Sequence, residues 1–569
     1  MTSTNVNPDL ESPSATATAQ ATQVADAPAP DKRRWAAFVI MTVAVFMDML
    51  DGSIVNVALP SIQRDLGASF GQLQWITAGY VFAFAVTLIT GGRLGDIYGR
   101  RKMFQLGVLG FAVSSLLCGI AMDPGMLVGA RLLQGLSAGL MVPQVLSIIH
   151  VTFPDNEKGK VFAVHGMVGG VAATVAPLIG GVLVAANIFG WDWRPIFLIN
   201  VPIGIVGYFM GWKFIPESKA PHALRLDIVG AVLATVSLVM LLFPLTFGRE
   251  LHWPVWTIAS MVLSVGGFAV FIAYERAKQR RDGAPLVPLN LFKARSFSSA
   301  LGLMLVTFSF TGMFMLALYL FMQEGLGFSP LRNGVTLLAF CIGAFLTASA
   351  SVIALVPKFG RAVLQGGAVV IALGIGLFLL VNSGEVGSWG MVPALFVIGL
   401  GFGALATPIS MFALADVPHK DAGAASGLVS TQQQLGFTLG IAVVSLAFFA
   451  PLSSSAANSA EELTPQLRQE LVVAGVAAER ADQIAGSFKA CTVERLGGAA
   501  EPGTSESCVA VAQDAQAKPV VEKFAAKAAG NTHSGAFDIT LWVGLGMVVL
   551  AFLLAGALPR RLAAPQGAA

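Results

Sequence analysis

The chain has 569 residues, of which 55% are hydrophobic and only 12% charged, with a formal net charge of +3. Soluble globular chains carry about 25% charged residues, so the length is spent on membrane spans rather than on soluble domains. The positive charges sit in short connecting segments, a topology signal and not a patch for nucleic acid.

Residues 1–34 are polar and rich in Ala, Thr, Ser and Pro, and they end in Lys32-Arg33-Arg34. With neither an apolar core nor a cleavage pattern they read as a disordered cytoplasmic tail, not a signal peptide. Apolar runs then predict fourteen spans, roughly 35–59, 73–92, 103–122, 126–149, 161–186, 196–214, 227–247, 255–274, 297–322, 333–356, 362–381, 390–413, 424–450 and 537–557. An even count puts both termini on one side. The excess of Lys and Arg in the segments on that side makes it the cytoplasmic one.

The first span contains Asp48 and Asp51. Three residues apart, they share a helix face, and two carboxylates so close at low dielectric do not both ionise easily. Charge at bilayer depth costs at least about 3 kcal/mol, so both are candidates for proton coupling. The alternative is a hydrogen-bonded structural pair. After the second span, Gly91-Gly92-Arg93-Leu94-Gly95-Asp96-Ile97-Tyr98-Gly99-Arg100-Arg101-Lys102 reads as a tight, basic loop at the cytoplasmic surface. Its glycines permit close helix approach. Asp96 is placed to accept from a facing helix N-terminus or to pair with arginine.

Arg131 in the fourth span keeps its charge and must face water, a carboxylate or carbonyls, with Gln134 on the same face. In the fifth span, Gly170, Pro177, Gly180 and Gly181 mark close helix packing and a proline kink. His150 and His165 read as interfacial. The basic stretch 276–296 is a cytoplasmic linker between two halves. The external segment 451–536 is Ala-, Ser- and Glu-rich, with an amphipathic helix starting at Thr464-Pro465 and running to about Lys489. Its Cys491 and Cys508 are expected to form a disulfide in an oxidising compartment, while Cys118 and Cys341 are small packing residues.

Several of these stretches together resemble the fourteen-helix drug/proton antiporters of the major facilitator superfamily. The run Leu50-Asp51-Gly52-Ser53-Ile54-Val55-Asn56-Val57-Ala58-Leu59-Pro60 is similar to that branch's first-helix motif, with Asp51 and Asn56 at its polar positions; Asp48 lies outside it. Gly91, Arg93, Gly95, Asp96, Gly99, Arg100 and Arg101 match the conformational-switch segment. Arg131, Gln134 and Gly135 match the motif linked to proton transfer. Gly170, Pro177, Gly180 and Gly181 resemble the antiporter motif, with Ala176 in place of the glycine before proline. Lys358-Phe359-Gly360-Arg361 echoes the switch segment in the second half, as parallel repeats would.

The resemblance implies an all-α polytopic membrane protein: an N-terminal six-helix bundle (35–214), two inserted helices (215–275), the linker (276–296), a C-terminal six-helix bundle (297–557) and a cytoplasmic tail (558–569). It implies a monomeric carrier, not an enzyme, in a bacterial plasma membrane. The carrier would export amphipathic drugs or antibiotics in exchange for protons, with the proton gradient as energy source and no cofactor or metal. Proton coupling falls to Asp51, Asp48 and Arg131. Asn56, Trp75, Gln134, Phe314, Met315 and Phe321 are candidates for the substrate cavity. A proton-coupled metabolite importer of the same fold, and a non-transporting scaffold or receptor, are the alternative readings.

Overall fold

The computed structural model describes residues 33–219, 227–248, 251, 253–281, 285–418, 421–496 and 516–560. The tail before residue 33, the predicted disulfide partner Cys508 and the segment after residue 560 lie outside them.

The long helices follow one another in chain order as α1 (Arg33–Leu66), α2 (Phe70–Tyr98), α3 (Arg100–Gly119), α4 (Pro124–Thr152), α5 (Asp155–Ala186) and α6 (Pro195–Phe214). Next come the inserted pair, α7 (Ile228–Phe247) and α8 (Val255–Arg281). The second half holds α9 (Arg295–Leu320), α10 (Pro330–Ala350), α11 (Ala362–Val381), α12 (Ser388–Leu414), α13 (Ala422–Val444), α14 (Ala450–Val473), α15 (Ala478–Leu496) and α16 (Lys518–Ala557). Thirteen helices among the described residues are long and apolar enough to cross a membrane. Helix α5, 32 residues long, stands at the place of the fifth span.

Local chemistry sets the boundaries. Ser69 caps α2 in a reciprocal box with Gln72, Asp123 accepts from Met126 N at the start of α4, and Asp227 accepts from Gly230 N at the start of α7. Ser329 caps α10 ahead of Pro330, following Gly327 at φ +64°.

The two halves repeat one plan. Helix α4 packs on α2 and α3 as α12 packs on α10 and α11, and α1 lies on α5 as α9 lies on α13. The halves meet along two seams, α2 against α13 and α5 against α10. These seams exchange under the repeat, which is the arrangement of parallel repeats about an axis along the membrane normal. Helices α7 and α8 form a hairpin, with α7 resting beside α2 and α13. Glu275 near the end of α8 is buried and accepts from Val287 N at 3.0 Å, which fastens the linker to the hairpin.

Two expectations change. The segment from Gly91 to Lys102 is not a loop. Helix α2 runs on through Tyr98, α3 begins at Arg100, and the whole turn is the single residue Gly99 at φ +114°. Gly91, Gly92 and Gly95 therefore serve packing inside a helix. Gly360, at φ +58°, makes the equivalent turn before α11.

Residues 451–496 are also more ordered than an Ala- and Ser-rich loop. Helix α13 continues through a π turn (Ser445–Phe449) into α14, which begins at Ala450 and not at Thr464, and the chain breaks at Ala474–Ala477 before α15. The stripe Leu463, Leu467, Leu471 packs with Ile484 and Phe488 of α15 and Val521 and Phe524 of α16 in a separate small core. Cys491 is disulfide-bonded, whereas Cys118 and Cys341 remain thiols. A disulfide closing a loop of about 15 residues is worth ~3 kcal/mol. Cys491→Ser is accordingly expected to sensitise α14 and α15 to added protease. Limited proteolysis of intact cells, which should leave the spans uncut, checks this.

Candidate functional site

The first cluster lies inside the N-terminal half, where α1, α2, α3, α4 and α6 converge. Asp51 and Arg131 form an ion pair with both side chains fully buried. Gln134 Nε2 and Asn200 Nδ2 donate to Asp51 Oδ1 at 2.9 and 2.8 Å. Arg131 Nη1 also donates to Gln134 Oε1 at 2.7 Å, and Nε to the Ile76 carbonyl at 2.9 Å. Ser115 Oγ accepts from Gln134 Nε2 at 2.6 Å and closes the ring. Burying an ion pair is tolerable only when its remaining lone pairs and protons are satisfied. Here both Asp51 oxygens and two of the three guanidinium nitrogens are occupied, leaving Arg131 Nη2 without a partner.

Asp48, one turn earlier on α1, is in a different situation. It is 3% exposed, and the side-chain hydrogen bond it accepts comes from the Tyr80 hydroxyl, a neutral donor. The Tyr80 ring lies 4.2 Å beneath the Arg131 guanidinium. One side chain on α2 thus touches both systems: its hydroxyl holds Asp48, and its face holds the cation paired with Asp51.

The second cluster is at the basic end of the α2–α13 seam. Asp96 Oδ1 accepts from Arg100 Nη2 at 2.7 Å and from Gly423 N at 3.1 Å, and Oδ2 accepts from Ala424 N at 3.1 Å. A carboxylate on one half therefore caps the first N–H groups of a helix in the other half, where the helix dipole favours negative charge. Arg93 and Arg100 are buried beside it. Ser147 Oγ donates to the Ala422 carbonyl at 3.4 Å, and His150 Nε2 lies 3.1 Å from the Val417 carbonyl, so α4 joins the same clasp.

Glycines make this approach possible. A Cβ at Gly91 would fall on the Gly139 backbone of α4, one at Gly92 on the Gly423 carbonyl, and one at Gly95 on the Gln144 amide. Gln144 Nε2 donates to the Gly91 carbonyl at 2.7 Å. At Gly99 the neighbour is the Glu217 carboxylate, which also accepts from Arg101 N at 3.2 Å. Gly92→Val meets rigid backbone, and overpacking of this kind costs about 1–3 kcal/mol. It is expected to lower the melting temperature of the purified protein and to stop transport; unchanged values would contradict the close packing of this seam.

The remaining sequence candidates are dispersed. Gly180 of α5 packs on Ile54 of α1, and Gly181 faces open space. Gly170 and Pro177 lie in α5 and Asn56 in α1, with surroundings outside the described residues. Trp75 stacks on Phe247 of the inserted hairpin at 4.8 Å between centroids. Phe314 and Phe321 do not line an open cavity: at 1% and 0% exposure they pack on Phe537 of α16, at 6.2 and 5.1 Å. The cause is that α9 and α16 are neighbours, and their aromatic rings fill the space between them. Met315 packs against the main core.

Tyr80, Ser115 and Asn200 belong to the first cluster without having been singled out from sequence. The one signal for Asn200 is a lone amide in the apolar run Ile196–Gly204. Tyr80 and Ser115 give none.

A family model described as Major Facilitator Superfamily matches residues 41–441. The probable actinorhodin transporter of Streptomyces coelicolor is 40% identical over 543 residues, 94% of this chain and 93% of that protein. The puromycin resistance protein of Streptomyces alboniger is 34% identical over 422 residues, 73% of this chain and 82% of that protein. The crystal structure of the human organic anion transporter MFSD10 superposes with a TM-score of 0.52 at 15% identity, covering 92% of this chain and 99% of that one, a likeness of fold. The chain belongs to the major facilitator superfamily.

Proposed function

We propose that this carrier exports amphipathic, antibiotic-like molecules across a bacterial plasma membrane in exchange for protons, with both termini in the cytoplasm. Relatives named for actinorhodin transport and puromycin resistance support the direction and the substrate class. The observation that carries the coupling is the unequal pair on α1: among the described residues Asp51 faces a buried cation and two amide donors, and Asp48 a phenol.

In this reading Asp51 is a fixed negative charge, and Asp48 is the group that takes and gives the proton. A buried carboxyl with no cation of its own is accommodated when neutral and costly when charged. Loss of the proton from Asp48 places a second anion beside the Arg131–Asp51 pair and draws on Arg131, whose Nη2 is free. Tyr80 carries that change into α2. Sixteen residues further along the same helix, about 24 Å at 1.5 Å per residue, Asp96 holds the seam to α13. Proton binding and the clasp thus act on one rigid element, and each biases the population of the two access states.

The test is substrate movement in everted membrane vesicles carrying the overproduced protein. With an acid interior, an exporter accumulates the antibiotic inside the vesicles. Accumulation that instead appears only in right-side-out vesicles would establish import and overturn the proposal.

A further inference from the structure

A further site lies at the basic end of the second half and shares no residue with either cluster. A cavity of about 360 Å³ opens between the start of α9, the start of α11 and the end of α16, lined by Arg295, Arg361, Arg560 and the chain from Gly556 to Pro559. Among the described residues no carboxylate lines it. Among the described residues none of the three arginines has an acidic partner within 4.0 Å. Asp416 accepts from Ser296 Oγ, the residue after Arg295, at 2.5 Å.

The wall is built. Arg361 Nη1 donates to the Gly556 and Leu558 carbonyls, and Arg361 N donates to the Arg560 carbonyl at 3.2 Å. The carbonyls that would make the end of α16 repel an anion are therefore occupied by the arginine itself. Arg295 is the first residue of α9, so the positive end of that helix faces the same space. Arg295 and Arg560 remain exposed, with their guanidinium groups available. The Lys358-Phe359-Gly360-Arg361 echo of the switch segment thus has a different task in this half. It holds the last helix and contributes to a cationic recess.

We propose that this recess binds the phosphodiester of an anionic phospholipid headgroup and ties the ends of α9, α11 and α16 together. Guanidinium groups match phosphate oxygens in a two-pronged geometry. The recess sits at the ends of membrane-spanning helices on the side rich in Lys and Arg, where anionic headgroups are within reach. A free phosphate offers the same chemistry without the acyl chains, so the experiment separates the two.

The full-length protein in detergent is titrated with phosphatidylglycerol, phosphatidylcholine or inorganic phosphate, and bound lipid is counted by native mass spectrometry. Phosphatidylglycerol is expected to bind in preference to phosphatidylcholine. Arg295→Gln/Arg560→Gln should weaken it roughly 30-fold, at about fivefold per arginine. Arg361 is left intact because it caps α16. Lys293→Gln/Lys358→Gln, which removes two exposed charges at the same end without touching the recess, should change binding little. The proposal is overturned by equal binding of the two lipids, by an equal loss in the lysine variant, or by inorganic phosphate displacing phosphatidylglycerol at equal concentration.

Discussion

Asp51→Asn is expected to destabilise the protein by about 3–5 kcal/mol, because it leaves the fully buried Arg131 guanidinium without its anion. An asparagine can still accept from Gln134 and Asn200, so the loss is electrostatic rather than a loss of packing. Asp51→Asn/Arg131→Gln removes both charges together and should recover most of the stability, giving a coupling energy above about 2 kcal/mol in a double-mutant cycle. Asp48→Asn behaves differently. Its amide oxygen still accepts from the Tyr80 hydroxyl, no cation is orphaned, and the cost should stay below about 1 kcal/mol. Thermal unfolding of five purified proteins, the parent, Asp51→Asn, Arg131→Gln, the double variant and Asp48→Asn, distinguishes these cases. An Asp51→Asn variant as stable as the parent would mean that the pair carries no net charge interaction, and the assignment of roles within the cluster would fail.

Asp96→Asn is expected to shift the balance between access states about 10- to 150-fold towards the state in which the basic end is open. A hydrogen bond to an ionised group contributes about 1.5–3 kcal/mol, and Asp96 makes two to the backbone of the other half as well as its pair with Arg100. The shift is read by cross-linking across the seam. Ser147 and Ala422 lie in hydrogen-bond contact there, and the variant pair Ser147→Cys/Ala422→Cys should form a disulfide readily in the parent background and slowly with Asp96→Asn. Equal rates would show that the carboxylate does not hold the seam.

Much of this architecture was legible in the chain because the bilayer makes it so. A run of about 20 apolar residues has few other fates, and a charge such as Arg131 inside one must have a partner. The residues that complete the cluster were hidden for a physical reason. Tyr80, Ser115 and Asn200 come from three helices, and one polar side chain per helix leaves no spacing to read.

The glycines of the switch segment misled in the opposite direction. Gly91, Gly92 and Gly95 read as a loop when taken by local propensity. The backbone of α4 and α13 against Gly91 and Gly92, and the Gln144 side chain against Gly95, are tertiary facts that override that propensity. The small core of α14, α15 and α16 shows the same contrast. The stripe Leu463, Leu467, Leu471 carries a helical period, but the helix starts further back, at Ala450, since α13 passes straight into it. Aromatic residues in an apolar run are the least informative of all. Trp75, Phe314 and Phe321 turn out to face neighbouring helices, and nothing in their sequence surroundings separates that from lining a cavity.

The most direct test of proton exchange through Asp48 is substrate-induced proton movement in everted vesicles holding a preformed pH gradient, comparing the parent with Asp48→Asn. The account predicts that an antibiotic substrate collapses the gradient in the parent and leaves it intact in Asp48→Asn, although that variant folds and still binds the substrate. Collapse of equal size in both would contradict it and move the proton to another group.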